Sequence, residues 1–455
     1  MKNNLIRATI LFGAAFSIFT AFADAPDTNQ VPSWIDHPLS LAETINLALQ
    51  QNGAILRGKS DLQAQYGVVV QTRAIAIPRL SATGNYLYTT EVETAPYPGA
   101  PGAINNTWGA TLQLTQSIYQ GGQITSSLRS AKLTQAQAIL DYQTVIADNL
   151  LQVRIAYYDV LQAAEQITVE DASVKLLHKQ LEDQQRRYDA GSVPRFNVLQ
   201  AEVAEANERP HLISARNNYR ISKNTLVDLL GVRLPPQISQ DVPLQLSDKL
   251  DADPYQIDLP IAIGKAFENR SELASLRKKQ ALSDEAVIGA NSNYKPSVQL
   301  IGQYGARNSE LLSDDPGFVV HGASAGAQVS WNIFDGFLTK GKVQQAKAQQ
   351  QGARVDVDNE MRSIELEVRT DYSNFIEASE TLESQKKVLE EAEEALRLAT
   401  ARNGAGTGTQ LDVLSAETSL TQSRSTQIQA LHDYDTARAR LERAIGINIM
   451  QTNGK

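Results

Sequence analysis

The chain has 455 residues, 51 acidic against 42 basic side chains, and no cysteine, which gives a net charge of −9. The acidic balance argues against a nucleic-acid partner, and the missing cysteines exclude disulfides. The sequence has five histidines and no glycine-rich phosphate loop, and it shows no nucleophile or metal-ligand constellation. We therefore expect neither an enzyme nor a bound cofactor or metal.

Residues 1–23 have the pattern of a secretory signal peptide. Lys2 and Arg7 supply the basic start, an apolar run follows, and residues 21–23 fit a small-x-small cleavage site. Cleavage after Ala25 is an alternative to cleavage after Ala23. A retained membrane anchor is disfavoured, because the run is shorter than the ~20 residues that a spanning helix needs. The pattern predicts an exported protein.

The second half of the chain repeats the first. Two motifs recur at a common offset of 215 residues. They are residues 118–121, matched by residues 333–336, and residues 229–232, matched by residues 444–447. A shared offset over such a distance indicates one structural unit used twice. We assign a first repeat to residues 24–232 and a second repeat to residues 260–447.

Each repeat has the same predicted order of elements: helix, strand, loop, strand, long helix, tip and helix. The opening helices are predicted at about 40–73 and 260–292, and Pro78 and Pro296 follow them. The proline-rich residues 233–259 are a predicted linker that packs around the middle of the helices. Residues 448–455 form a short polar tail.

Four segments alternate with a period of two residues and are predicted to be strands. They lie at about 78–92, 107–119, 296–305 and 322–334. Apolar residues on one face and small or polar residues on the other are typical of strands between lipid and water, although a soluble sheet shows the same alternation. Unpaired sheet edges are not tolerated in lipid, and four strands cannot close a barrel. Three copies would supply twelve strands, enough to enclose a polar lumen, whereas eight strands would be filled by side chains.

Apolar residues recur every seven positions in both long helices. In the second repeat they are Met361, Val368, Phe375, Leu382, Leu389 and Leu396, and in the first they are Ile146, Val153, Val160, Ile167, Val174 and Leu181. Six heptads in two copies predict coiled-coil helices. Each helix runs far enough to measure about 100 Å at 1.5 Å per residue.

Each long helix is predicted to end in a tight tip, at residues 190–196 and 404–411. The first tip contains Ala190, Gly191 and Ser192, and the second contains Ala405, Gly406 and Thr407. A chain that reverses between two helices needs a residue that tolerates positive φ, and glycine is that residue. The hydroxyl that follows each glycine is expected to satisfy backbone groups of the turn.

These features together resemble the TolC-like family of outer-membrane efflux proteins over the whole mature chain. The resemblance is carried by the duplication, the two strand pairs, and the tip motifs with residues 198–201 and 412–416. It implies a mainly α protein with membrane β structure: a homotrimer in which a 12-stranded β-barrel stands on an α-helical barrel. It implies an outer-membrane location of the Gram-negative type, with the helices in the periplasm.

The resemblance also implies a function and its partners. Family members are exit ducts of tripartite efflux or type I secretion systems, coupled to an inner-membrane pump through a periplasmic adaptor. The six tip residues named above would receive the adaptor. The rival interpretation is a trimeric coiled-coil structural or surface protein without a pore, which explains the heptads but not the strand pairs or the reversing tips. Drug efflux and protein secretion both stay open.

A charged gate is the last expectation from the resemblance. The family places an acidic ring at the periplasmic entrance, at the position of Asp412, and a second aspartate three residues later, where this chain has Ser415. The equivalent first-repeat positions are Asn197 and Gln200. The gate is therefore expected to be less acidic than in the best-known members, with its charge on the second repeat alone.

Overall fold

The computed structural model describes residues 37–88, 106–233, 241–308 and 319–447. The predicted signal peptide and tail lie outside these ranges, as do most of both strand-connecting loops and part of the linker. The helices are α1 (Leu41–Gln51), α2 (Gly53–Arg73), α3 (Gln123–Asp189), α4 (Arg195–Leu229), α5 (Leu259–Asn269), α6 (Ser271–Ser292), α7 (Leu338–Gly404) and α8 (Gln410–Ile445). None of the helices within these ranges is both long enough and apolar enough to cross a membrane.

The opening helix of each repeat, predicted as continuous, is broken into two. In the first repeat the break falls at Asn52, whose side-chain oxygen accepts a hydrogen bond from the Ile55 amide at 3.0 Å and so caps α2. Its amide nitrogen donates to the Leu229 carbonyl at 2.6 Å. In the second repeat the break falls at Arg270, which has extended backbone geometry. The prediction of single helices was wrong because contacts with the distant end of α4 or α8 set these breaks.

A glycine that ends α4 or α8 packs against each break. Gly231 has a φ of +71°, and a Cβ there would lie 2.2 Å from the Gln51 carbonyl oxygen. Gly446 has a φ of +77°, and a Cβ would lie 2.9 Å from Cβ of Asn269. Positive φ and close approach both require glycine. The glycine of the repeated motif, residues 229–232 and 444–447, therefore lies against the helix break of each repeat.

The four strands form one antiparallel sheet in the order β1-β2-β3-β4. They are β1 (Arg79–Tyr88), β2 (Asn106–Gln120), β3 (Ser297–Asn308) and β4 (Val319–Ser330). The last strand ends before its predicted limit at residue 334, and Trp331 instead donates its indole N–H to the Tyr294 carbonyl at 3.1 Å. Within the described residues, β1 and β4 each pair with one neighbour, so both outer edges of the sheet are open.

The long helices α3 and α7 have 67 residues each, about 100 Å at 1.5 Å per residue. Helix α3 packs against α4 and α7 packs against α8, which makes two helical hairpins. Every heptad position predicted from the sequence is buried or half-buried. Val153 and Val368, at equivalent positions of the two repeats, are both 0% exposed. The heptads therefore build the apolar interior of each hairpin.

The two hairpins meet along α3 and α8 through polar contacts, which we call the polar seam. Its hydrogen-bonded or ion-paired partners, from the sheet towards the tips, are Asp148 and Arg443, Arg154 and Glu442, Asp159 and His432, Gln162 and Gln429, Gln166 and Ser425, Ser173 and Thr421, Gln180 and Glu417, and Gln184 and Gln410. Apolar packing thus dominates within a hairpin and hydrogen bonding between hairpins.

The described part of the linker, residues 241–258, packs against the middle of the helices. Leu39 pairs with Leu246 in a parallel β-bridge. The carboxylate of Asp248 accepts hydrogen bonds from the Leu41 amide at 2.9 Å and the Tyr157 hydroxyl at 2.8 Å. The buried Lys223 donates to the Val242 carbonyl at 2.8 Å. These bonds fasten the linker to α1, α3 and α4.

Candidate docking and gating sites at the hairpin tips

The first tip is a glycine turn that reverses the chain over residues 190–194. Gly191 has a φ of +73°, and its amide donates to the Tyr188 carbonyl at 2.8 Å. The amide and hydroxyl of Ser192 both donate to the Arg187 carbonyl, at 2.9 and 2.8 Å. These bonds satisfy carbonyls that the end of α3 leaves free. Pro194 then precedes α4, two residues before the predicted end of the tip.

The second tip repeats this geometry over residues 405–409. Gly406 has a φ of +75° and donates to the Asn403 carbonyl at 3.1 Å. Thr407 donates to the Arg402 carbonyl through its amide at 2.9 Å and its hydroxyl at 3.2 Å. The hydroxyl after each glycine therefore serves the turn, as the sequence predicted. Thr409 caps α8, and the helix begins at Gln410.

Both tips are exposed. A Cβ added at Gly191 or Gly406 would meet nothing within 4 Å, so these glycines serve the turn and not a close approach. The residues on either side of each glycine, Ala190 and Ser192 or Ala405 and Thr407, are also exposed. All six tip residues predicted from the sequence lie at the free ends of the two hairpins.

A pair of apolar residues just beyond the tips was not predicted from the sequence. Phe196 is 68% exposed and Leu411 is 59% exposed, and they occupy equivalent positions of the two repeats. A large apolar side chain repeated at one exposed position is the kind of surface that a partner covers. The offset of 215 residues would have identified the pair, because both residues directly precede a gate candidate.

Asp412 lies in a capping box at the start of α8. Its amide donates to the Thr409 hydroxyl oxygen at 3.2 Å, while its carboxylate accepts from the Thr409 amide at 2.9 Å. The hydrogen bonds from the Thr409 backbone and side chain lower the pKa of the Asp412 carboxyl. The side chain is exposed and, with its pKa lowered, negatively charged at neutral pH.

The other gate candidates are uncharged, and one protomer does not bring them together with Asp412. Ser415 is exposed, whereas Asn197 and Gln200 are half-buried. Among the hydrogen bonds of the described residues, none joins Asp412 or Ser415 to Asn197 or Gln200. The described part of the chain also contains no group of three histidine, aspartate or glutamate side chains arranged to hold a metal ion.

Two hairpins of about 100 Å, joined to a four-stranded sheet with both edges open, define the subunit of an outer-membrane channel-tunnel. The family model described as "Outer membrane efflux protein" matches residues 44–232 and 262–447, and the chain belongs to this family. Each of the two matched ranges lies within one repeat.

Individual relatives agree with this assignment. The outer membrane protein TolC of Escherichia coli is 24% identical over 426 residues, which covers 90% of this chain and 83% of that protein. The alkaline protease secretion protein AprF of Pseudomonas aeruginosa is 25% identical over 324 residues, covering 69% of this chain and 65% of that protein. The crystal structure of the outer membrane protein VceC from Vibrio cholerae has a TM-score of 0.74 at 19% identity, with 89% of this chain and 96% of that chain covered.

The protein is therefore an outer-membrane exit duct for efflux or type I secretion, and it is a channel and not an enzyme. In this family three chains close a β-barrel in the outer membrane, which continues as a helical barrel in the periplasm. Family membership decides against the rival interpretation of a coiled-coil stalk without a pore. It also explains why the described sheet has two open edges, since each edge meets a neighbouring copy.

Proposed function

We propose that the hairpin tips of this channel are the docking surface for a periplasmic adaptor, which links the duct to an inner-membrane pump. The observation that carries the proposal is the pair of equivalent tips, each exposed and each followed by an exposed apolar residue, Phe196 or Leu411. A homotrimer would present six such tips in one ring. A ring of rigid turns with apolar residues beside them offers a partner both backbone groups and apolar contact area.

The test replaces the turn glycines by proline. Gly191→Pro and Gly406→Pro each remove an amide that donates within the turn and forbid the positive φ that the turn uses. We expect loss of efflux and loss of cross-linking to the adaptor, while the protein still inserts as a trimer. Gly191→Asn is the matched control, because it keeps the amide, tolerates positive φ better than other residues, and has a Cβ that enters open space. Wild-type efflux and cross-linking in both proline variants would overturn the proposal.

We further propose that Asp412 forms an acidic ring at the periplasmic entrance, with Ser415, Asn197 and Gln200 as its uncharged neighbours. The lowered pKa of Asp412 and its exposure support a charged ring at neutral pH. Three carboxylates held close together attract cations and repel anions. Because the equivalent first-repeat position is Asn197, a trimer would carry three such charges and not six.

A further inference from the structure

A polar groove of about 390 Å³ lies between α3, α4 and α8, on the tip side of the molecule. Each helix contributes one glutamate to its lining: Glu170 from α3, Glu208 from α4 and Glu417 from α8. His211 of α4 is the remaining titratable side chain in the lining. Three glutamates and one histidine from three helices thus line one groove.

Glu417 is the most deeply placed of the three, with 4% of its surface exposed. Oxygen Oε1 accepts a hydrogen bond from the Gln180 side chain across the polar seam. Oxygen Oε2 is buried and has no hydrogen-bond partner. Burial raises the pKa of the Glu417 carboxyl to about 7. A buried carboxylate normally has a donor for each oxygen, so the free oxygen marks an unfilled position.

The carboxyl oxygens of Glu208 and Glu170 also have fewer hydrogen-bond donors than they can accept. Oxygen Oε1 of Glu208 is also buried without a partner. Glu170 is 9% exposed and accepts one hydrogen bond, from the Gln166 side chain at 2.5 Å. Its burial, and next the adjacent Glu208 carboxyl, raise the pKa of Glu170, against the opposing effects of Gln166 and His211. The groove thus presents free acceptors and negative charge.

A neighbouring glutamate, in contrast, has basic partners for its carboxylate. Glu205 on α4 pairs with Arg209 at 2.7 Å and with His178 at 3.2 Å, and the Arg209 hydrogen bond lowers its pKa. The first repeat supplies a second contrast. Glu202 is the position equivalent to Glu417, and it is exposed on the surface of α4. Within the described residues of one protomer, the groove is therefore a feature of the second hairpin's contact with the first.

We propose that this groove binds a small organic cation, whose ammonium or guanidinium N–H groups donate to the free oxygens of Glu417 and Glu208. Free acceptors call for a donor, and acidic acceptors call for one that is cationic. A metal ion fits less well, because no three acidic or histidine side chains of the described residues are arranged as metal ligands. The volume of about 390 Å³ is in the range of small-molecule sites.

Binding of such a cation should depend on pH. With a pKa of about 7, Glu417 is largely protonated at pH 6, and a cation that requires its carboxylate must displace that proton. Burial is the cause of the raised pKa, and the titratable groups that share the groove, Glu170, Glu208 and His211, include no permanent cation. Affinity should therefore rise about fivefold between pH 6 and 7, about tenfold in all, and level off above about pH 8.

The experiment is calorimetric titration of the purified full-length trimer with agmatine, which carries one guanidinium and one ammonium group. We expect one saturable site per chain and the pH dependence given above. Glu417→Gln keeps the shape of the side chain and an acceptor for Gln180 but removes the charge. It should weaken binding at least tenfold and abolish the pH dependence. Glu208→Gln should also weaken binding, and it decides the question if the first variant fails to assemble.

Glu202→Gln is the matched control, since it makes the same charge change at the equivalent exposed position. Its affinity should stay within twofold of wild type. Absence of saturable binding to the wild-type trimer would overturn the proposal. Equal weakening by Glu202→Gln would also overturn it, because that result indicates diffuse attraction to an acidic surface. Saturable binding of magnesium chloride that Glu417→Gln abolishes would reassign the groove to a metal ion.

Discussion

Asp412 shows how one residue can serve both local structure and the proposed gate. Its carboxylate accepts from the Thr409 amide at 2.9 Å, and that bond orients the charge at the start of α8. The N-terminal end of a helix favours a negative charge, which adds to the lowering of its pKa by Thr409. A side chain held in this way is a fixed charge and not a mobile one, which is what a selectivity ring requires.

Asp412→Asn should lower the cation selectivity of the channel in planar lipid bilayers. The substitution removes one charge per chain while the amide oxygen can still accept from Thr409. The measurement is the reversal potential in a salt gradient. Asp358→Asn is the control, because Asp358 is an exposed acid of α7 far from the tip. Selectivity that is unchanged in Asp412→Asn, or equally reduced in the control, would count against the ring.

Glu272 lies in a network of charges at the helix break of the second repeat. It accepts hydrogen bonds from Arg270, at 3.0 Å, and from Arg443. Burial opposes ionisation of this carboxyl, but the two arginines outweigh burial and lower its pKa to about 2. A carboxyl with a lowered pKa stabilises the fold above its unfolded-state pKa, here 4.5, and that stabilisation is lost as the pH falls from 4.5 towards 2.

Glu272→Gln should therefore reduce the free energy of unfolding by about 1–3 kcal/mol at pH 7, because two buried arginines each lose a charged acceptor. Arg270 retains Glu367 and Arg443 retains Asp148, which keeps the loss below that of an isolated buried pair. The difference from wild type should shrink as denaturant unfolding is repeated from pH 5 down to pH 3. An effect of constant size over that interval would contradict the charge-based explanation. Glu394→Gln, in an exposed pair, should cause no measurable change.

At the scale of elements, the helix break at Asn52 joins three segments of the chain. Its side chain caps α2 through Ile55 and donates to the last turn of α4 at Leu229. Asn52 is the single residue between α1 and α2, the C-cap of the first and the N-cap of the second. The asparagine therefore holds the break and the end of the hairpin together.

Asn52→Ala should destabilise the protein by about 1–2 kcal/mol, because the cap is lost and the Leu229 carbonyl loses its side-chain donor. The free energy of unfolding in denaturant measures the effect. Asn149→Ala is the control, since the Asn149 side chain donates only to Val145 within its own helix, at 2.7 Å. Losses of equal size in the two variants would show that Asn52 has no special role in the break.

The elements that the sequence predicted well are those with a strong local period. The alternation of the strands and the heptads around Val153 and Val368 depend on residues close in sequence, and the structure has strands and buried heptads there. The break at Arg270 could not be predicted, because it depends on Gly446, which is distant in sequence. Extended geometry at an arginine within a helical pattern has no local signal.

The residues of the candidate sites also divide into those that the local sequence predicts and those that it does not. The glycine tips follow from local chemistry, since positive φ has few other solutions, and the structure has it at both Gly191 and Gly406. The burial of Glu417 could not be predicted from the local sequence, because the glutamate at the equivalent position, Glu202, is exposed in the protomer. Only the approach of α3 to α8 decides which of the two glutamates is buried, and that approach is a property of the assembled hairpins.

At the scale of the whole molecule, the apolar contacts within a hairpin and the polar contacts of the seam differ in how much free energy it takes to break them. Pulling the two helices of a hairpin apart exposes apolar side chains such as Val368 and Phe375, and that exposure is costly in water. Separating the hairpins along the seam exchanges hydrogen bonds between side chains for hydrogen bonds to water, at a net cost of roughly 1 kcal/mol each. We therefore expect the helical wall to open first along the seam.

Replacing two seam pairs by alanine should open the duct without unfolding it. The variant carries Gln162→Ala with Gln429→Ala and Gln184→Ala with Gln410→Ala, so that both partners of each pair are removed. Gln180 and Asn403 also lose their bonds to Gln410, and Asp433 loses its bond from Gln429. We expect a larger single-channel conductance or a longer open time in planar bilayers, because the hairpins separate more readily. The free energy of unfolding should fall by a few kcal/mol, since each net hydrogen bond is worth roughly 1 kcal/mol and water replaces it.

Val368→Ala supplies the opposite case. Val368 is 0% exposed inside the second hairpin, so its truncation should cost about 1–3 kcal/mol of unfolding free energy and leave the conductance unchanged. The two variants together separate opening from stability. If the seam variant keeps the wild-type conductance, or if Val368→Ala raises conductance as much as the seam variant does, then the hairpins do not part along α3 and α8. The helical wall would then open by loosening within each hairpin, and the polar seam would serve only to hold the two repeats in register.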